Sequence, residues 1–365
     1  MPTIPFDIIG SYQTDYDPII DPQFLGNMYE TVDANAPTGK ALISVPGSKL
    51  RLNYNTLATT AEVRTLFTVG NYMYDVTGNT FHKISSDLSY SSIGTLLTSS
   101  GYVAVEQNLT QTILVDGGAG YIYNGSTLAQ IVSVNFPSDP ISVAYLNGYF
   151  IVASSTSNRF YISALEDGTA WNPLNWAEMT TKAQNLMALT VLGRHIYIFS
   201  KYITEVWDPT GGSGFPFNLY NNLLFEQGCA ATGSLITAKD FMIWLASTPS
   251  GDISVQQSNG ATLKELTSKQ MKMEFQSYTT ISDARAYLID INGHTQYIIS
   301  FPTQNKTWGY DLLTNKWFSI YMANKGRYFA QCHAYYNGIH YIGIYNQPKI
   351  YELSKQYKLN ADENN

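Results

Sequence analysis

The chain has 365 residues and a formal charge of −7, from 21 basic and 28 acidic side chains. Only 13% of residues are charged, about half the usual quarter of a soluble domain, while aromatics reach 14% and 28 residues are tyrosine. A hydrophobic content of 44% fills a core and argues against disorder. The shortage of Lys and Arg argues against a basic nucleic-acid binder. No apolar run approaches the ~18 residues of a membrane span, and Met1–Asp7 lacks the basic and long apolar regions of a secretion signal.

In chain order, residues 1–39 come first. They hold Pro2, Pro5, Pro18, Pro22 and Pro37 without clear periodicity, and read as an extended N-terminal arm that packs on something. Phe24, Met28 and Tyr29 are its candidate interface side chains. A strand pattern, Lys40–Val45 and Lys49–Leu52 around Pro46-Gly47, then stands without a repeat of its own.

From about residue 61 a four-strand unit recurs: a strand, a tight turn, an apolar second strand, then a third and a fourth. One copy reads Tyr102–Gln107, Thr112–Asp116, Gly120–Asn124 and Thr127–Ile131. Another reads Ala286–Ile291, Gln296–Phe301, Thr307–Leu312 and Lys316–Tyr321. Asn147-Gly148, Asn292-Gly293 and Asn337-Gly338 mark two-residue type I′ hairpin turns, because both residues accept positive φ. The first turns of successive units fall at Gly70, Asn108, Gly148, Gly193, Lys239, Gly293 and Gly338, a mean spacing of about 45 residues. A four-stranded propeller blade takes ~40–45. The expected fold is therefore all-β, a β-propeller over residues 40–354 with seven blades (six as the alternative). An all-β sandwich pair without cyclic order is the competing architecture. The last unit lacks chain for a fourth strand, and the orphan strand of residues 40–52 is expected to supply it and close the ring. Ala164–Gln184, interrupted by Pro173, is the best helical candidate, and residues 355–365 read as a frayed polar tail.

Signals for chemistry are sparse. The chain has no G-x-S-x-G, P-loop or H-E-x-x-H pattern, and no cofactor or metal is expected. Cys229 and Cys332 form no CxxC and no zinc spacing, and read as small buried side chains. His195, His294 and His340 follow equivalent hairpin turns and could converge as a ligand set, with polar loop residues as the plain reading. Asp75, Asp116 and Asp290 could supply the two carboxylates of a glycosidase, or serve as turn formers. Trp171 and Trp176 bracket Asn-Pro-Leu-Asn, either as binding anchors or packed over a blade edge.

Several ordered stretches carry a resemblance. They are Asn27-Met28-Tyr29-Glu30, Val45-Pro46-Gly47, Phe160–Thr169 leading into Trp171, Thr204-Glu205-Val206-Trp207 with Thr210-Gly211, Phe215-Pro216-Phe217, and Glu226–Ala231 containing Gly228-Cys229. Their order and spacing, over roughly residues 20–355, are similar to those of the packaged-DNA stabilisation proteins of short-tailed phages. The resemblance implies a virion tail protein, made in the host cytoplasm, that is not an enzyme. It implies a hexameric hub ring below the portal, touching an adaptor and tailspike or needle proteins. Such a ring helps to retain packaged double-stranded DNA, which passes through the lumen without sequence-specific binding. Family members commonly continue beyond the propeller, so distal contacts are left open. Locally, Glu205 and Trp207 share one strand face, Phe215 and Phe217 either plug a gap between blades or reach a neighbour, and Gly228 begins a crowded first strand. A carbohydrate-binding propeller, suggested by the aromatic content, and a propeller hydrolase, suggested by the Asp set, are the alternatives.

Overall fold

The computed structural model describes residues 25–36, 39–211, 214–324, 326–357 and 360–361. Seven sheets of four or five strands follow one another around a ring. Blade 1 is Val63–Val69, Tyr72–Thr77, Thr80–Ile84 and Tyr90–Thr95. Blade 2 is Ala104–Gln107, Thr112–Val115, Gly120–Tyr123 and Leu128–Gln130. Blade 3 is Pro140–Leu146, Tyr149–Ser154, Arg159–Ala164 and Asp167–Glu178. Blade 4 is Leu186–Leu192, His195–Ser200, Thr204–Pro209 and Phe217–Phe225.

In blade 5 the first strand is split into Gly228–Cys229 and Ile236–Thr237, followed by Met242–Ser247, Ile253–Ser258 and Leu263–Glu265. Blade 6 is Arg285–Ile291, His294–Phe301, Lys306–Asp311 and Lys316–Ser319. Blade 7 is Ala330–Tyr336, Ile339–Ile344 and Lys349–Ser354, closed by Gly47–Asn53. The closing strand pairs Gly47 with Ser354 and Asn53 with Lys349, so the ring is sealed by chain from its own N-terminal side.

The turn chemistry follows the sequence. Asn147, Asn292 and Asn337 take φ of 51°, 58° and 49°, each followed by a positive-φ glycine. The flanking pairs Leu146–Tyr149, Ile291–His294 and Tyr336–Ile339 register as two-residue hairpins.

The core is distributed between blades. Seven buried apolar clusters fill the seven junctions, including blade 7 against blade 1, where Tyr336, Tyr341 and Ile350 meet Val63, Leu66 and Met73. Middle strands carry most of this load: Met242–Ser247 is buried at every position. Some outer strands expose most of their residues, as Tyr90–Thr95 does, whereas Lys316–Ser319 of blade 6 is buried at three of its four positions. Each large side chain in a junction contributes roughly 1.5–3 kcal/mol by leaving water.

Three segments differ from the sequence expectation. Lys40–Ser44 does not enter blade 7; it pairs with Met28–Val32 as a separate two-stranded hairpin, so only the part after Pro46 closes the ring. Asp167–Glu178, expected to be partly helical, is the outer strand of blade 3. Its register breaks between Trp171 and Trp176, and on an edge strand the missing N–H of Pro173 disturbs no ladder. The one α-helix among the described residues is Lys269–Gln276, which follows the short fourth strand of blade 5 and buries Met271 and Phe275. In the tail, Asn360–Ala361 adds a parallel pair to the closing strand.

Candidate interface and axial site

The N-terminal hairpin is bolted to the junction of blades 6 and 7. The Asn27 and Ser319 backbones exchange bonds with that segment, Asn27 N donating to Ser319 O and Ser319 N to Leu25 O, each at 2.8 Å. Lys316 Nζ donates to the buried Glu30 carboxylate at 2.6 Å. His294 lies between Asp311, 2.5 Å from Nδ1, and Thr31, 2.9 Å from Nε2. Tyr29 is 1% exposed and sets its ring edge-on to His294. Met28, Val32 and Leu42 are 44%, 73% and 43% exposed, so the anchored hairpin carries an apolar surface. Phe24 lies outside the described residues.

A second apolar surface lies on blade 3 and its entry loop. Val132, Val134 and Leu174 are 87%, 96% and 81% exposed. Nearby, Trp176 is partly exposed, with the Arg159 guanidinium 3.9 Å from its ring centroid. Trp171 goes the other way: it is 6% exposed, donates Nε1 to Gly168 O at 2.8 Å, and packs between blades 2 and 3. Phe217 is buried, and Phe215 packs beside it against Phe160 of blade 3. These two rings fill the gap between blades 3 and 4 of the same chain.

The other motif residues hold turns and crowded strands. Glu205 is 1% exposed and accepts from Thr180 N at 3.0 Å, Thr181 N at 2.7 Å and Trp207 Nε1 at 3.1 Å. It thereby ties the loop entering blade 4 to that blade's third strand. Gly211 has φ of +65° and Pro216 O accepts from Thr210 N at 2.8 Å, closing the loop between the third and fourth strands. Pro46 and Gly47 are buried where the chain leaves the hairpin for the closing strand. A Cβ on Gly228 would sit 2.3 Å from the Lys201 carbonyl carbon and Tyr202 nitrogen. Cys229 is buried, and loss of solvation pushes its thiol up to about 12.

The candidate chemical residues do not assemble. His195 faces Asp208 at 3.3 Å, His294 faces Asp311, and His340 Nδ1 lies 3.0 Å from His333 Nε2, each within its own blade. Asp75 is buried against Tyr54, Thr77 and His82. Asp116 accepts backbone bonds from Thr98, Gly118 and Ala119, while Asp290 accepts from the Thr295 hydroxyl. Among the described residues, no group of three or more His, Cys, Asp or Glu could hold a metal. None of their helices is long and apolar enough to cross a membrane.

A cavity of about 500 Å³ opens on the axis, lined from blades 1, 2, 3, 5, 6 and 7, with Glu62, Tyr102, Asp116, Asp283, Arg285 and Arg327 among its walls. Sequence reading missed all of these but Asp116. The signal available was a charged residue at or just before a first strand, a phase of the repeat where small and apolar residues are expected.

A family model described as "Bacteriophage P22 Gp10, beta-propeller" matches residues 13–358. The chain belongs to this phage stabilisation family. Membership makes it a phage structural protein, and the match takes in the hairpin, all seven blades and every motif residue discussed above. No individually curated protein matches the chain. Among solved structures, the WD40 domain of Neurospora crassa Pan2 is similar at 11% identity and a TM-score of 0.53, covering 87% of this chain and 96% of that one. The computationally designed Ika8 protein is similar at 10% identity and a TM-score of 0.50, covering 81% and 97%. PorZ, a surface component of the type-IX secretion system of Porphyromonas gingivalis, is similar at 12% identity and a TM-score of 0.51; 85% of this chain aligns, over 38% of that longer chain. At such identities the likeness concerns the fold of this phage family member and nothing further.

Proposed function

We propose that the chain is a subunit of the phage tail hub, a ring below the portal that helps to retain packaged DNA and forms part of the ejection channel. It acts by assembly and carries out no chemical step. The observation that carries this reading is the family match over residues 13–358, joined to the placement of two apolar surfaces. The hairpin patch sits at the junction of blades 6 and 7, and the Val132–Val134–Leu174 patch on blade 3. Three blades separate them whichever way the ring is counted. Two different surfaces at opposite poles suit a head-to-tail contact, which closes into a ring when the rotation per subunit allows. The low charge fits the same reading, since interface cores are depleted in charge and enriched in aromatics.

The propeller axis is not the DNA path in this proposal. A cavity of about 500 Å³ takes a small molecule rather than a duplex, so DNA runs between subunits. The expected partners are further copies of the chain (six in the ring), an adaptor above, and tailspike or needle proteins around and below. Native mass spectrometry of the chain alone and with the portal-associated adaptor tests this. A ring near six subunits on the adaptor supports it, and a monomer under both conditions overturns it.

A further inference from the structure

Two guanidinium groups line the axial cavity, Arg285 at the start of blade 6 and Arg327 just before blade 7, and a third, Arg64 of blade 1, bonds to the lining residue Gly101. They are not equivalent. Arg64 is spent, donating to Gly101 O, Gly78 O, Thr98 O and Thr98 Oγ1. Arg327 lies 3.4 Å above the centre of the Tyr345 ring. Arg285 has one weak ion pair, Nη2 at 3.8 Å from Glu62, and its buried Nη1 has no protein partner.

The carboxylates of the cavity are mostly committed. Glu62 accepts from Gly101 N at 2.7 Å and Gln331 Nε2 at 2.9 Å. Asp116 is held by three backbone N–H groups. Asp283 Oδ2 accepts from the Thr303 N–H and hydroxyl, but its Oδ1 is buried without a protein partner. One cationic donor, Arg285 Nη1, and one anionic acceptor, Asp283 Oδ1, thus remain unmatched on two residues lining the same cavity. A buried polar group left unsatisfied is costly, more so when charged, so this pair favours a ligand that satisfies both.

We propose that the axial cavity binds a small oxyanion that carries its own hydroxyl proton, with hydrogen phosphate as the simplest case. Its charged oxygens accept from Arg285, with Arg327 adding positive potential, and its P–OH donates to Asp283 Oδ1. Sulfate has the same shape but no proton at neutral pH, so it meets the Asp283 carboxylate as a bare anion. A phosphodiester lacks the proton as well, which separates this site from any contact with DNA backbone. The site is independent of how subunits assemble.

The test is isothermal titration calorimetry of the full chain at pH 7.5 with sodium phosphate, sodium sulfate and dimethyl phosphate at matched ionic strength. Saturable phosphate binding, with sulfate and dimethyl phosphate at least tenfold weaker, is the expected result. Arg285→Gln weakens phosphate at least tenfold. Asp283→Asn, which can turn an amide N–H₂ toward the ligand, narrows or reverses the preference over sulfate. Arg194→Gln, remote from the cavity, leaves binding unchanged. If Arg285→Gln does not fold, Arg285→Lys replaces it, with a smaller loss expected. Equal affinity for phosphate and sulfate, no saturable binding, or unaltered binding in a folded Arg285 variant overturns the proposal.

Discussion

Gly228 shows how little slack the blades allow. A Cβ there would overlap the backbone at Lys201 and Tyr202, which no rotamer change relieves. Gly228→Ala is expected to cost roughly 3 kcal/mol or more, as overpacking against backbone does, read as a lower urea midpoint with an unchanged m-value. His333 supplies a pH dependence. Burial and the neighbouring His340 hold its pKa down to about 3, and Tyr287 stacks beside it. The unfolded chain takes up that proton near pH 6.5, the folded one only near 3. This contribution to stability is therefore present above pH 6.5 and declines as pH falls from there toward 3. His333→Asn is expected to make the fall in urea midpoint between pH 7 and 4 shallower than in the parent. The sequence revealed the small-residue start at Gly228, because a glycine at a first strand has few other uses. It did not reveal Asp283 and Arg285, whose interest lies in what they fail to pair with, and pairing across blades leaves no local pattern.

Among elements, the N-terminal hairpin depends most on distant chain. The Glu30 carboxylate is buried, and its Lys316 partner is 286 residues away. Removing one member of a buried ion pair costs about 3–5 kcal/mol. Lys316→Met is expected to raise amide hydrogen exchange at Tyr29–Thr31 by at least tenfold while blade 1 amides stay protected; uniform change across both regions would show that the hairpin is not a separate unit. In sequence Met28–Val32 reads as arm, because the charged Glu30 at mid-strand hides the alternation and its partner lies far along the chain. Hairpins with Asn-Gly turns were legible to within a residue or two, since turn type and register are set locally. The helix Lys269–Gln276 was not, because its three apolar residues, Met271, Met273 and Phe275, alternate at the spacing of a strand, and only Met271 and Phe275 are buried. In Asp167–Glu178, Pro173 reads as a helix breaker, yet an outer strand tolerates it.

For the whole molecule, seven repeats of about 45 residues made the propeller legible, and the missing fourth strand of the last unit pointed to closure. Surfaces were less legible, because an exposed Val132 looks in sequence like any core valine. The two-patch arrangement predicts that Val32→Asp and Leu174→Asp each lower the oligomer mass while leaving the circular dichroism spectrum unchanged. A head-to-tail contact adds a sharper expectation. Mixing the two variants restores at most one good interface per pair, so dimers form and larger rings do not. Sedimentation velocity distinguishes these species, and a full-sized ring from either variant alone would reject the patches as the contact.

Arg51 of the closing strand bonds to Glu352, 301 residues further along the chain, and that separation sets a timetable for biosynthesis. At 5–20 residues per second, roughly 15–60 s pass between the ribosome making the closing strand and making its partner. During that interval the strand waits unpaired, and the first and sixth blades each present an uncovered flank. A nascent chain stalled anywhere before residue 350 is therefore an open arc with sticky ends, prone to capture the same strand from a neighbour on the same message.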